Sequence, residues 1–377
     1  MAKLFFCGDI INQFSNEQFI GEKLISRIKD CDFAVCNLEG AISSGDFQNK
    51  GMLQTRYTAK FLEEAGFNLC LLANNHITDY GLEGFVNTTR QLSFHNLSYV
   101  GAGVGASSVY EPFVKTIAGV KVGIINVCEA QVGQFDSLEC DYGYAWIGWP
   151  DLDNIIRDTR KQVDVLFVCV HAGLEHYELP LNEFRNLYRR YCDLGADYVI
   201  GSHPHIAQGY EKYGNSTIFY SLGNFFFPRS KDAGKSDYEN YSFSVIIDTE
   251  KKNHEIVYHS MEKQIVELDD VNDSKVDMDR LNDIISPDKY TTLLREQNDK
   301  AYKNLVFKLY QNALNGQEPD ESFTRKIKNT IKYFFKKVNY SNTEEHKLYR
   351  RKLLLRLIEN ETYRYLTINV LKNKNNE

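Results

Sequence analysis

Residues 163–205 read VDVLFVCVHAGLEHYELPLNEFRNLYRRYCDLGADYVIGSHPH. The segment opens with an apolar run, VDVLFVCVH, of the length of one strand, and closes with a second, DYVIGSH. Between them LNEFRNLYRRYCDLGA has helical spacing and stops at Gly195, the residue type that most readily ends a helix in the left-handed conformation. Apolar runs without alternation suit strands covered on both faces, and strand–helix–strand order predicts parallel pairing. Two histidines split by Pro204 follow the second run. A buried strand has no use for imidazoles at its end, so they are expected to face a cavity.

The same alternation recurs toward the N-terminus. KLFFCGD, DFAVCNLE, NLCLLANN and KVGIINVC read as strands; NEQFIGEKLISRIKD, TAKFLEEAGF and LEGFVNTTRQLSFHN read as helices. Beyond residue 205, STIFYSLGNFFF, YSFSVIID and HEIVYHSM follow one another with turns and little room for a helix, which predicts antiparallel strands. From Val271 the chain turns polar and acidic, then helical to the end, with one interruption near NGQEPDES. The expected organisation is an α/β domain over 1–270 and an all-helical extension over 271–377.

At 377 residues the chain is long enough to bury a full core without staples. Net charge is −7, yet Arg325–Lys374 holds 14 basic and 4 acidic side chains, so the remainder is clearly acidic. That basic helical stretch is a candidate surface for a protein partner. The acidic balance elsewhere and the lack of a recognition motif argue against nucleic acid. The eight cysteines include no CxxC pair and sit mostly in apolar runs, as reduced thiols of a cytosolic protein do. The N-terminus enters a strand at once, with no signal-peptide pattern, and no apolar run is long enough to span a bilayer. The expected location is cytoplasmic, or peripheral to a membrane.

Metal-competent side chains stand at the C-terminal ends of six apolar runs. Asp9 follows LFFCG; Asn37 and Glu39 follow FAVC; Asn74, Asn75, His76 and Asp79 follow LCLLA; His171 and Glu175 follow LFVCV; His203 and His205 follow DYVIGS; Asn224 follows FYSLG. Open α/β sheets bind ligands at those ends. Each motif alone reads as a turn, a polar loop or a hydrogen-bonded histidine; the ordered series reverses those odds. In an extended segment residues i and i+2 point the same way, so His203 and His205 are expected to share one cavity, with Pro204 stiffening the link. Carboxylate, amide and imidazole donors without thiolate suit Mn²⁺, Fe²⁺ or Zn²⁺, and a carboxylate between two ions would make a two-metal hydrolytic site. His95, His254, His259 and His346 read as structural, and His176 stays open. Trp146 and Trp149 lie in a stretch, 129–150, expected to shape one side of the cleft, and read as core filling.

The ordered set GD, NLEG, LANNHITDYG, HAGLEH, GSHPHIAQ and YSLGNFFF resembles the CapA family of poly-γ-glutamate or capsule biosynthesis proteins, within the calcineurin-like metallophosphoesterase superfamily. The resemblance covers roughly residues 3–260 and not the helical tail. It implies a four-layer α/β sandwich with two divalent ions at the strand ends. By position, Asp9, Glu39 and His205 would hold one ion and Asn75, His171 and His203 the other, with Glu39 bridging. His76 would serve the leaving group, oriented by Asp79; Glu175 and Asn224 would stand close by, Glu175 on the catalytic side and Asn224 on the substrate side. Arg56, in QTRYT, would hold an anion.

Two positions depart from the superfamily pattern. Phosphoesterases generally begin GDxH, and here the fourth position is Ile11; their bridging residue is generally Asp, and here it is Glu39. Both changes are shared by CapA-like chains. The resemblance thus implies a metal-dependent hydrolase or transferase whose activated water attacks a phosphoryl or acyl centre of an anionic polymer, glycan or phosphoester. The competing reading is a non-catalytic assembly component with a structural or vestigial metal site.

Overall fold

The computed structural model describes residues 2–45, 51–136, 141–228, 237–262, 264–271, 274–315, 351, 354–355 and 357–374, with 312–315 described in backbone only. Cys140, His346, the NGQEPDES interruption beyond Asn315 and most of the basic stretch after Arg325 lie outside those residues.

Two large sheets are built from β1 (Lys3–Ile10), β2 (Phe33–Leu38), β3 (Leu69–Leu71), β4 (Ser98–Val100), β5 (Phe113–Ile117), β6 (Val120–Cys128), β7 (Val165–His171), β8 (Tyr198–Ser202), β9 (Tyr210–Tyr213), β10 (Ser216–Phe219), β11 (Asn224–Phe226), β12 (Tyr241–Asp248), β13 (Asn253–Glu262) and β14 (Ile265–Leu268). The first has the order β14-β13-β12-β1-β2-β3-β4, with β11 pairing to the end of β1; the second runs β9-β10-β8-β7-β6-β5. Strands β1 to β4 are mutually parallel, as are β6, β7, β8 and β10.

Alternation along β1 shows why its run is apolar throughout. Leu4 and Phe6 enter the core between the sheets, beside Phe167, Tyr198, Ile200 and Phe219. Phe5 and Cys7 face the opposite way, toward Leu24, Ile28, Phe61 and Leu62 of the helices Glu22–Lys29 and Thr58–Ala65. Helices Leu152–Arg160 and Asn182–Asp193 pack on the second sheet. Helix, sheet, sheet and helix make the expected four-layer α/β sandwich.

Some expectations need correction. STIF and NFF are not successive antiparallel strands: β10 lies parallel to β8 in the second sheet and β11 parallel to β1 in the first. Gly223, at φ +78°, turns the chain from one sheet to the other. YSFSVIID and HEIVYHSM do pair antiparallel, as β12 and β13, and STIF pairs antiparallel with β9 on its other edge. The helix predicted from Asn16 begins at Glu22, because Ile20 is drawn into a bridge with Val266.

The chain divides into two compact units, Met1–Tyr290 and Thr291–Glu377. The sequence drew that line at 270. Residues 274–290 go with the first unit because Met278 and Leu281, on the helix Met278–Ile284, enter the core between the sheets. In the second unit the described residues are helical, including Phe307–Asn315 and Glu361–Lys374. Asn360 interrupts the predicted continuous tail helix: its side chain accepts the Tyr363 N–H at 2.7 Å as an N-cap and restarts the helix. Among the described residues no helix is long and apolar enough to cross a membrane.

Candidate metal centre

Sheet register assembles half of the site. On the first sheet Asp9 is paired with Asn37 on one side and Asn224 on the other. Glu39 comes one residue past β2, and Asn75 and His76 lie in the turn after β3. On the second sheet His171, the last residue of β7, is level with Ser202, the last of β8. His203 and His205 follow.

These side chains meet. Asn37 Nδ2 donates to Asp9 Oδ1 at 2.7 Å and stands 3.2 Å from His171 Nδ1. His171 Nε2 is 3.0 Å from Asn75 Oδ1 and 3.1 Å from His203 Nδ1. His205 Nδ1 lies 2.9 Å from Asn224 Oδ1 and 3.3 Å from Asp9 Oδ2. Donor atoms cluster in three sets within 4.8 Å: Asp9, Glu39 and His205; Glu39, His171 and His203; Glu175, His203 and His205.

The two histidines of GSHPH do not converge by strand alternation. The segment leaves β8 at Ser202, and both residues take positive φ, +95° for His203 and +61° for His205. The pair therefore reaches the cavity through a strained bend. Such backbone costs about 1–3 kcal/mol per residue and is usually retained at functional sites.

Glu39 is the most informative residue. It is fully buried, and neither carboxylate oxygen has a hydrogen-bond partner. Nε2 atoms of His76, His171 and His205 stand 3.9, 4.0 and 3.9 Å from its Oε1. Those gaps are too long for hydrogen bonds and wide enough for a cation between oxygen and nitrogen. Burial pushes the Glu39 carboxyl up to about 7, with His205 pulling it down and Asp9 raising it further. Burial opposes a charge on His205, but Glu39 and Asp9 prevail and raise it to about 10. Burial holds His203 down to about 4 and His171 well below the ordinary imidazole range, the second also through the neighbouring histidines. Both are thus neutral at pH 7, the form that ligates. Among the described residues, the ion-pair partners of Asp9, Glu39 and Glu175 are all histidines. A buried carboxylate with neither oxygen hydrogen-bonded, beside the neutral imidazole of His171 and with no described lysine or arginine paired to it, fits a cation.

His76 and Asp79 form a pair at the edge: Nδ1 and Oδ2 are 2.8 Å apart, and Asp79 Oδ2 also accepts the Met52 N–H at 2.9 Å. Burial lowers the His76 pKa, but Asp79 and Glu39 outweigh it and raise it. Glu175 is half-buried, with Oε1 4.0 Å from His203 Nε2. Arg56 is not brought to the cluster by any described contact; it is exposed, and its guanidinium donates to the Tyr57 hydroxyl at 2.8 Å. Trp149 stacks on Tyr110, with ring centroids 4.6 Å apart. His259, buried between the Ser242 and Ser244 hydroxyls at 3.2 and 2.9 Å, is structural.

Sequence reasoning missed three residues here. Gln54, fully buried, donates to the carbonyls of Ile10 at 2.7 Å and Glu39 at 2.6 Å and accepts the Asn12 N–H at 2.6 Å, clamping both carboxylate-bearing strand ends. Glu129 Oε1 lies 3.3 Å from His203 Nε2, and Gln131 joins Glu129 to Asn75. The signal for Glu129 was present: it directly follows the apolar run KVGIINVC, a seventh strand end with a carboxylate.

A four-layer sandwich with carboxylates from one sheet and imidazoles from the other at a common rim is an architecture that a metal-binding protein would use. The family model of the bacterial capsule synthesis protein PGA_cap matches residues 3–229. The chain belongs to that family. It is 30% identical over 246 residues to the capsule biosynthesis protein CapA of Bacillus anthracis, covering 61% of this chain and 59% of that protein. It is 28% identical over 214 residues to the PGA biosynthesis protein CapA of Bacillus subtilis, covering 52% and 56%. The chain thus spans somewhat over half the length of these relatives. Among solved structures, a hypothetical protein from Thermus thermophilus aligns with TM-score 0.46 and 14% identity, over 69% of this chain and all of that one.

Proposed function

We propose that the protein is a metal-dependent hydrolase or transferase acting in capsule, exopolysaccharide or poly-γ-glutamate biosynthesis. Its substrate is a phosphoryl or acyl centre of an anionic polymer, a glycan or a phosphoester. The names of the Bacillus relatives support the setting. The observation that carries the chemistry is Glu39, with two buried oxygens lacking hydrogen bonds and three imidazoles about 4 Å away.

The donor sets favour two ions. Taking Asp9, Glu39 and His205 as one set and Glu39, His171 and His203 as the other uses each histidine once and shares only Glu39. Asn75 joins the second set through Oδ1. The third set draws on histidines already used, which leaves Glu175 to face the substrate. Oxygen and nitrogen donors without thiolate fit Mn²⁺, Fe²⁺ or Zn²⁺. Two such ions, when bound, supply Lewis-acid polarisation and a water acidic enough to serve as nucleophile near neutral pH. His76 holds Nδ1 toward Asp79 and directs Nε2 at the cluster, where its raised pKa suits proton delivery to a leaving group. Asn224 fixes the His205 ring through Nδ1.

A second reading, a non-catalytic assembly component, rests on Ile11. It occupies the superfamily's histidine position, is fully buried, and donates its backbone N–H to the Phe226 carbonyl, offering no ligand there. Elemental analysis of the wild type beside a His203→Ala/His205→Ala double variant tests the proposal. Close to two ions in the wild type and a loss in the folded variant support it. No stoichiometric metal, even after adding Mn²⁺ or Zn²⁺, overturns it in favour of the assembly reading.

A further inference from the structure

Resting on that dinuclear reading, we infer that Glu129 and Gln131 form a bracket that selects which atoms the second-ion ligands present. Both asparagine and histidine have two faces. Asn75 can offer Oδ1 or Nδ2, and only the oxygen ligates. His203 can offer Nδ1 or Nε2, and the nitrogen carrying the proton cannot ligate.

Gln131 settles the first choice. Its Oε1 accepts from Asn75 Nδ2 at 3.0 Å, so Asn75 Oδ1 is turned toward His171 Nε2, 3.0 Å away. Glu129 settles the second. Its Oε1 stands 3.3 Å from His203 Nε2, and Gln131 Nε2 stands 3.0 Å from the same atom, so the bracket takes up Nε2 and leaves Nδ1, beside His171, as the atom turned to the donor set. Gln131 Nε2 donates to the same Glu129 oxygen at 3.1 Å and orients it. Polar partners behind a ligating histidine are the usual way a protein fixes the orientation of its ring.

The bracket is itself anchored. The Tyr144 hydroxyl accepts the Gln131 N–H at 3.1 Å and donates to the Glu129 carbonyl at 3.0 Å. Tyr144 lies on Tyr142–Ala145, a strand of a separate three-stranded sheet. This small sheet thus positions one half of the site, while the first half, Asp9 and Glu39, is clamped by Gln54. Glu129 and Gln131 are positioning residues.

The test is a Mn²⁺ titration of the full chain followed by isothermal calorimetry and electron paramagnetic resonance, for wild type, Glu129→Gln, Glu129→Asp and Gln131→Ala, with folding checked by circular dichroism. The expected result is a second Mn²⁺ weakened about 10–100-fold in Glu129→Gln and Gln131→Ala. The first Mn²⁺ binds as in wild type, the spin-coupled two-ion signal is lost at stoichiometric metal, and Glu129→Asp recovers part of it. Two ions in wild type, with variants that bind both equally well or lose both together, overturn the bracket alone. A wild type that never takes a second ion overturns the dinuclear reading, and the bracket with it.

Discussion

Asp9, Asn37, Glu39 and Asn75 come from the first sheet's strand ends; His171, His203 and His205 come from the second's. The oxygen side follows from ordinary sheet register, with Asp9 level with Asn37 and Asn224. The nitrogen side depends on a bend in which His203 and His205 both take positive φ. The charges differ as well. The oxygen side buries two carboxylates, while burial keeps His171 and His203 neutral and leaves only His205 raised. Glu39 is left without a hydrogen bond to either oxygen. The two sheets together therefore bring oxygen and nitrogen donors to one rim, in the groups that could hold a cation.

The comparison breaks most sharply at Glu39, shared by both donor sets. Glu39→Gln is expected to abolish binding of both ions, read by elemental analysis. In chelator it should stabilise the fold by about 1–3 kcal/mol, because a carboxyl that burial raises to about 7 no longer has to ionise in the core. Denaturant melts with and without Mn²⁺ would show a higher midpoint without metal and no gain on adding it. A variant that keeps both ions would remove Glu39 from the bridging position.

His76 sharpens the comparison, since it lies on the oxygen side but reaches toward Glu39 from the edge. His76→Asn should keep two ions and lose about 10²–10⁴-fold in turnover. p-Nitrophenyl phosphate and a γ-glutamyl anilide serve as probes for the two reaction classes. A parallel loss of metal would make His76 a ligand instead of a proton donor.

How much of this was legible in the sequence follows the same division. The carboxylates were readable because a polar residue closing an apolar run needs no tertiary knowledge. The histidines were readable as a group, but their route was not: GSHPH looks extended, and only the surrounding contacts select left-handed backbone at His203 and His205. Gln54 was illegible for a different reason. It is a lone glutamine in a two-residue strand, and its three hydrogen bonds go to segments more than ten residues away in the chain. STIF and NFF read as neighbours because adjacency in sequence says nothing of which sheet each joins.

His259 is a control imidazole, buried on the first sheet but satisfied by two serine hydroxyls. Burial pushes its pKa down to about 3. The unfolded chain therefore takes up the proton first as pH falls below about 6.5. Stability is full above that value and is lost toward pH 3, by about 2 kcal/mol at pH 5 from this residue. His259→Asn should cost stability at pH 7 and flatten the acid limb by that amount, measured by denaturant melts from pH 7 to 5. An unchanged limb would assign the acid sensitivity to the site histidines.

Arg56→Ala is the smallest expected effect. The resemblance implies an anion-holder, yet Arg56 is exposed, stacks its guanidinium 5.0 Å over the Tyr57 ring, and donates to that residue's hydroxyl. An exposed side chain of this kind should contribute within about 0.5 kcal/mol to stability. It also lies outside both donor sets, so metal content should be unchanged. What remains for it is substrate charge. If the guanidinium swings from Tyr57 to an anionic substrate, Arg56→Ala raises KM for a poly-anionic substrate, leaves kcat alone, and has an effect that shrinks with added salt as surface charges are screened. A KM that does not move at low salt would place anion recognition elsewhere on the rim and leave Arg56 as a partner of Tyr57 alone.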